Sequence, residues 1–189
     1  MLLMIASDIH GSSKYCSELM KAKEIEKPDK LILLGDLLYH GPRNSLPDEY
    51  NPKEVLGMLN GIKNELVCVR GNCDSEVDQM VLDFPMMAEY SVLLFEKSTF
   101  WMTHGHRIPD KLQSSICRGD VILCGHTHVP ACEVTEYGAV KVNPGSVSIP
   151  KENSERGYII TDGENIIWKT LGGEIYRKES VSALINAES

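Results

Sequence analysis

The chain has 189 residues, 42% hydrophobic and 24% charged, a composition that suits a globular domain with its own core and no need of a disulfide framework. Its 27 acidic residues outnumber 19 basic ones, and the resulting formal charge of -8 argues against an extended nucleic-acid surface. The apolar runs are short and interrupted, so no membrane span is expected.

The first residues are apolar without a basic leader, and Asp8 and His10 follow at once. Residues 2–6 therefore read as a strand rather than a signal peptide, and the expected location is the cytoplasm. Ser12 or Ser13 can cap the next helix. Residues 31–34 form a second strand ended by Gly35 and Asp36. Residues 39–50, with Pro42 and Pro47, read as a long loop. Pro52 then opens a helix carrying Val55, Leu56, Leu59 and Ile62 on one face. Residues 66–69 are a third strand, ended by Arg70-Gly71-Asn72.

Beyond Pro85 helices give way to short strands: 91–95 and 99–103 as a hairpin turning near Glu96 and Lys97, then 121–124, 131–135, 139–142, 157–161 and 166–170. The tail after Glu179 reads as a short helix or frayed chain. Apolar strands alternating with helices predict a mixed sheet covered on both faces, and the later strands predict a second sheet. The expected architecture is an α/β sandwich with helices outside, formed by residues 1–189 as one domain. Cys68, Cys117, Cys124 and Cys132 lie in or beside apolar runs and read as small buried thiols, whereas Cys73 stands in a glycine-led turn.

The six histidines all fall in or beside glycine- and carboxylate-rich segments that follow apolar runs. The segments are Asp8-Ile9-His10-Gly11, Gly35-Asp36 with His40, Thr103-His104-Gly105-His106 and Gly125-His126-Thr127-His128; Gly71-Asn72-Cys73-Asp74 has the same form without histidine. In mixed sheets, ligands gather beyond the carboxyl ends of the strands. A single Asp-x-His or His-x-His is commonly an Asx turn or a satisfied core histidine. Their joint recurrence at strand ends points instead to metal, with Asp8, His10, Asp36, Asn72, His104, His126 and His128 as seven oxygen and nitrogen donors. A shared carboxylate at Asp36 would let two ions have four ligands each. Two ions can activate water and clamp a reacting phosphate ester, so in-line hydrolysis of a small phosphate ester is the expected chemistry.

These motifs resemble those of the calcineurin-like metallophosphoesterase superfamily, whose order is Asp-x-His, Gly-Asp, Gly-Asn-His-Asp, Gly-His and Gly-His-x-His. Through Gly35–Asn44, Val69–Gln79 and Asn143–Lys151 the chain further resembles the small YfcE-type phosphodiesterases. The resemblance covers residues 1 to about 150 and implies a four-layer α/β/β/α sandwich with metals between two mixed central sheets. It implies that one ion takes Asp8, His10, Asp36 and His128, and the other Asp36, Asn72, His104 and His126. It favours diesters over monoesters and Mn²⁺ over Zn²⁺, Fe²⁺, Ni²⁺ or Co²⁺, and it permits a homo-oligomer. A phosphomonoesterase or nucleotide phosphatase with the same metals is the enzymatic alternative, and a non-catalytic scaffold of the same fold is the other.

Cys73 departs from the histidine of the wider superfamily, although the YfcE-type subgroup also carries cysteine there. A neutral thiol is a poor copy of imidazole as the acid for the leaving oxygen. Asp74 is expected to orient a ligating imidazole or the loop, and His106 to touch substrate or fix His104. His40, Arg43, Arg70 and Cys73 are candidates for contacting substrate, with Arg43 offering a planar fork to phosphate.

Overall fold

The computed structural model describes residues 1–95 and 98–187. In chain order the elements are β1 (Leu3–Ala6), α1 (Ser13–Glu26), β2 (Lys30–Leu33), α2 (Pro52–Gly61), β3 (Leu66–Cys68) and α3 (Glu76–Val81). Then follow β4 (Tyr90–Leu94), β5 (Thr99–Thr103), α4 (Asp110–Gln113), β6 (Val121–Leu123), β7 (Pro130–Val134) and β8 (Val140–Pro144). The chain closes with β9 (Gly157–Thr161), β10 (Asn165–Thr170), β11 (Ile175–Ser180) and α5 (Val181–Ala187).

Two mixed sheets result, ordered β11-β10-β9-β1-β2-β3 and β4-β5-β6-β8-β7. β1, β2 and β3 run parallel in the first, and β5, β6 and β8 run parallel in the second. Side chains alternate across the strands. Met4, Ala6, Leu31 and Leu33 pack outward with Leu19, Val55 and Leu59 of the helices. Ile5, Ile32 and Leu34 pack inward with Phe100, Met102, Leu123 and Val142 of the second sheet. Trp168 is fully buried in this inner layer and donates its indole N–H to the Asn143 carbonyl at 2.8 Å.

The expected sandwich is present, with unequal outer layers. One sheet is backed by α1 and α2, whereas Leu112 and Ile116 are the buried residues that cover Ile122 and Ala139 on the other. Ser12 caps α1 by accepting from the Tyr15 N–H, and Pro52 occupies the first turn of α2.

Three elements were not predicted: α3, the four-residue α4 and β11. α3 buries none of its six residues, so it has no apolar period; a capping box between Ser75 and Asp78 starts it. β11 is a charged edge strand held by its ladder to β10, and α5 follows where a terminal helix or frayed chain was expected. The predicted turn at Glu96 and Lys97 lies outside the described residues, although β4 and β5 do pair as a hairpin. All six cysteines are free, but Cys117 is exposed and Cys132 half-buried, against the expectation of buried thiols. Among the described residues no helix is long and apolar enough to cross a membrane.

Candidate metal centre

The turns after β1, β2, β3, β5 and β6 carry the motif residues to one rim of the sandwich. Asp8, His10, Asp36, His126 and His128 all have left-handed backbones, with φ between 49° and 68°. Such geometry costs a non-glycine residue about 1 kcal/mol or more. Hydrogen bonds between the turns hold it in place. Asp8 N–H donates to Gly35 O at 3.1 Å and His10 N–H to Asp36 O at 2.9 Å. His126 N–H donates to Asp8 Oδ2 at 3.0 Å, and the Ser146 and Ser148 hydroxyls donate to Asp8 O at 2.8 and 3.1 Å. The motif glycines permit the approach: a Cβ on Gly71 would stand 2.1 Å from Asp36 Oδ1, and one on Gly125 1.9 Å from Ser7 Oγ.

Three imidazoles are fixed by backbone carbonyls. Nδ1 of His10 lies 2.8 Å from Tyr39 O, that of His104 2.6 Å from Leu34 O, and that of His128 2.8 Å from Ile149 O. A carbonyl only accepts, so each Nδ1 carries the proton and each Nε2 is turned inward. Asp8 Oδ1 lies 3.2 Å from His128 Nε2 and 3.6 Å from His10 Nε2. Asp36 Oδ2 lies 3.6 Å from His10 Nε2 and 3.4 Å from His104 Nε2, and Asn72 Oδ1 lies 3.1 Å from the latter. Asp36 therefore stands between the two groups of donors.

This donor set fits divalent ions. His10 Nε2 and His128 Nε2 face each other at 3.2 Å in a buried site, and two neutral imidazoles in this tautomer would oppose lone pairs. A cation between them, either a proton or a metal ion, would relieve that opposition. Asp8 Oδ1 is buried without a hydrogen bond, as a carboxylate oxygen aimed at an ion would be. Asp8, His10 and His128 place donor atoms within 4.8 Å of one another, as do Asp8, Asp36 and His104.

The charges follow the same logic. Burial alone would pull the His10 and His104 imidazoles down; their carboxylate partners outweigh it, raising His10 and holding His104 at about 9. Burial would likewise raise Asp8 and Asp36, but the facing imidazoles draw both below the usual carboxylate range. Burial, then the charge at His104, lowers His126, which stays neutral and able to ligate.

The remaining predicted residues divide. His126 is half-buried, its ring 5.2 Å from that of His104. Asp74 is buried and points at no imidazole; its carboxylate accepts from the N–H groups of Asp36, Leu37 and Gly71 at 2.7–2.9 Å, joining the second and third motif turns. Of its two expected roles, the one at the loop is the one observed. His106 is exposed, 5.4 Å from the His104 ring, and makes no hydrogen bond to it. His40 packs edge-on against Tyr39 and Tyr50 and does not line the cavity over the site. Arg70 donates to Asp74 O and lies 3.6 Å from Glu76.

That cavity, of about 360 Å³, is bounded by Asp36, Asn72, Cys73, His126 and His128, with Arg43 at its wall. Burial, then the Asp36 carboxylate, pushes the Cys73 thiol up to about 12, so it remains a neutral donor. Lys151, the last residue of the Asn143–Lys151 segment, also lines the cavity and was given no role from the sequence. Ser146 and Ser148 were missed as supports, since their hydroxyls reach Asp8 from 138 and 140 residues away. A larger hollow of about 700 Å³ contains none of these residues.

The profile of the calcineurin-like phosphoesterase superfamily domain matches residues 1–165. The chain is 42% identical over 165 residues to phosphodiesterase YfcE of Escherichia coli K12, covering 87% of this chain and 89% of that one. It is 27% identical over 172 residues to the probable metallophosphoesterase YsnB of Bacillus subtilis, covering 87% and 86%. The solved structure of the E. coli phosphoesterase Yfce superposes with a TM-score of 0.89 at 39% identity, covering 96% of this chain and all of that one.

Proposed function

The chain belongs to the calcineurin-like phosphoesterase superfamily, and from that premise we propose that its metal-dependent phosphoesterase activity is directed at phosphodiesters. Asp8, His10, Asp36 and His128 would hold one ion, and Asp36, Asn72, His104 and His126 the other. The metal site in this reading is supported by the opposed Nε2 pair of His10 and His128 beside an unpartnered Asp8 oxygen and by the clustered donors of Asp8, Asp36 and His104. Two divalent ions in such a site supply Lewis acidity, lowering the pKa of water and offsetting charge on phosphoryl oxygens.

The protein's own groups do the rest. Asp36 places one carboxylate between both sets of imidazoles, while Cys73 N–H holds its Oδ1 at 2.8 Å. Backbone carbonyls keep three imidazoles in the ligating tautomer and orientation. Arg43 can hold a phosphate oxygen from the cavity wall. Asp74 acts as a positioning residue. The Cys73 thiol offers a weak hydrogen bond to substrate but no ready proton. We read residues 1–189 as one domain, because β9, β10 and β11, beyond the motifs, extend the same sheet as β1.

Mn²⁺ is the proposed activating ion, as the donors are carboxylate, amide and imidazole without thiolate. Affinity order alone would favour Zn²⁺, so the purified ion need not be the activating one. The 42% identical E. coli relative, a phosphodiesterase by name, supports the diester preference. Assaying Mn²⁺- and Zn²⁺-loaded protein on bis(p-nitrophenyl) phosphate and p-nitrophenyl phosphate tests it. A kcat/KM at least tenfold higher for the diester is expected; a higher value for the monoester would establish the phosphatase alternative.

A further inference from the structure

Two cavities meet at the candidate metal centre. The first is the 360 Å³ cavity with Arg43 and Lys151; the second, of about 180 Å³, is lined by Arg70, His106, Arg107 and Glu89. Asn72 lines both, so a phosphoryl group held beside it would border both cavities. A phosphodiester, unlike a monoester, carries an organic arm on each of two ester oxygens.

The cavities differ in charge balance. In the smaller one Arg70 and Arg107 are accompanied by Glu89, and Arg70 also meets Glu76. In the larger one the only carboxylate is Asp36, already engaged by His10 and His104. Elsewhere on this acidic chain some cations are matched, as in Lys14–Asp48, Lys63–Asp83 and Lys141–Glu133. Among the described residues neither Arg43 nor Lys151 forms an ion pair, yet both line one cavity. Uncompensated cations lining a concave site concentrate an anionic ligand there.

We infer that the larger cavity is a subsite for the charged arm of an asymmetric phosphodiester, an arm bearing its own carboxylate or phosphate, which Arg43 and Lys151 bind. The smaller cavity receives the other arm. The inference rests on the diesterase reading. Arg43 supplies a planar two-donor fork and Lys151 a mobile point charge, a pairing that tolerates either anionic group.

Three p-nitrophenyl diesters differing in the second arm test it: 2-carboxyethyl, ethyl and choline. With Mn²⁺-loaded protein, kcat/KM should fall in that order, by at least tenfold from first to last, with the difference in KM. In the double variant Arg43→Ala/Lys151→Ala the ratio should collapse toward one, whereas Arg107→Ala should preserve it. Calorimetry on the same holoprotein should show 2-carboxyethyl phosphate binding at least fivefold tighter than ethyl phosphate, a margin that the double variant removes. Equal turnover of all three esters, or loss of the ratio in Arg107→Ala alone, would overturn the inference and leave the diesterase reading intact. Failure to cleave any diester would defeat that reading; the calorimetric comparison then decides separately, with equal affinities overturning the subsite.

Discussion

Around the first proposed ion position, Asp8, His10 and His128 are at most 2% exposed, and both imidazoles are fixed through Nδ1. Around the second, Asn72 is exposed, His126 is half-buried, and His104 alone is locked by a carbonyl. The proposed centre thus has a rigid position and a compliant one around a shared Asp36. Pre-organised ligands lose less freedom on binding, so the first position should hold its ion more tightly. The compliant position borders both cavities through Asn72, whereas His128 of the rigid one lines only the larger.

The largest expected effect comes from emptying both positions. Chelated protein should lose diesterase activity and regain it with Mn²⁺; full activity in protein shown metal-free by elemental analysis would end the account. Asp36→Asn comes next, because it removes the charge between both donor groups. It should lower kcat/KM by at least about a hundredfold, the upper end of what even outer-shell metal partners cost, and weaken both ions together. Normal titration of two ions with unchanged turnover would show that Asp36 is not shared. The comparison sharpens with single ligands: His128→Ala should abolish the tighter binding step and His126→Ala only the weaker one. The reverse assignment would invert the picture of a rigid and a compliant position.

A smaller effect concerns protons. With no metal, carboxylate contacts hold His104 at about 9 and raise His10, so binding at neutral pH displaces a proton from His104. Metal affinity should therefore rise with pH, by up to tenfold per unit for each displaced proton, and level off above about pH 9. Stability of the metal-free protein takes the opposite sign. The His104 contribution is complete below the unfolded value near 6.5 and is lost as pH rises through 9. A pH-independent metal affinity between pH 7 and 9, measured by calorimetry, would contradict the assigned protonation. The least change is expected for Cys73→Ser, since a thiol held neutral adds only a weak donor. Most activity should remain. Loss of activity with fold and metal content intact would instead make the thiol a participant.

The front half of the fold was legible because its strands are apolar runs punctuated by glycine and a polar donor, so period and punctuation agree. The donors were legible for the same reason, since each lies one or two residues past such a run. What escaped notice lacks a local signal. β11 is specified by its ladder to β10 and not by its charged residues, and α3 by a cap and not by a buried face. Ser146 and Ser148 matter only once β8 carries them back to Asp8, and Lys151 only once that same turn reaches the cavity.

The most direct test is a Mn²⁺ titration of stripped protein, with bound metal counted by elemental analysis and diesterase activity read at every point. Two ions per chain should bind in resolved steps, with activity rising on the second. Full activity at one ion per chain, or a single step that His126→Ala leaves unchanged, would contradict a centre built from one rigid and one compliant position sharing Asp36.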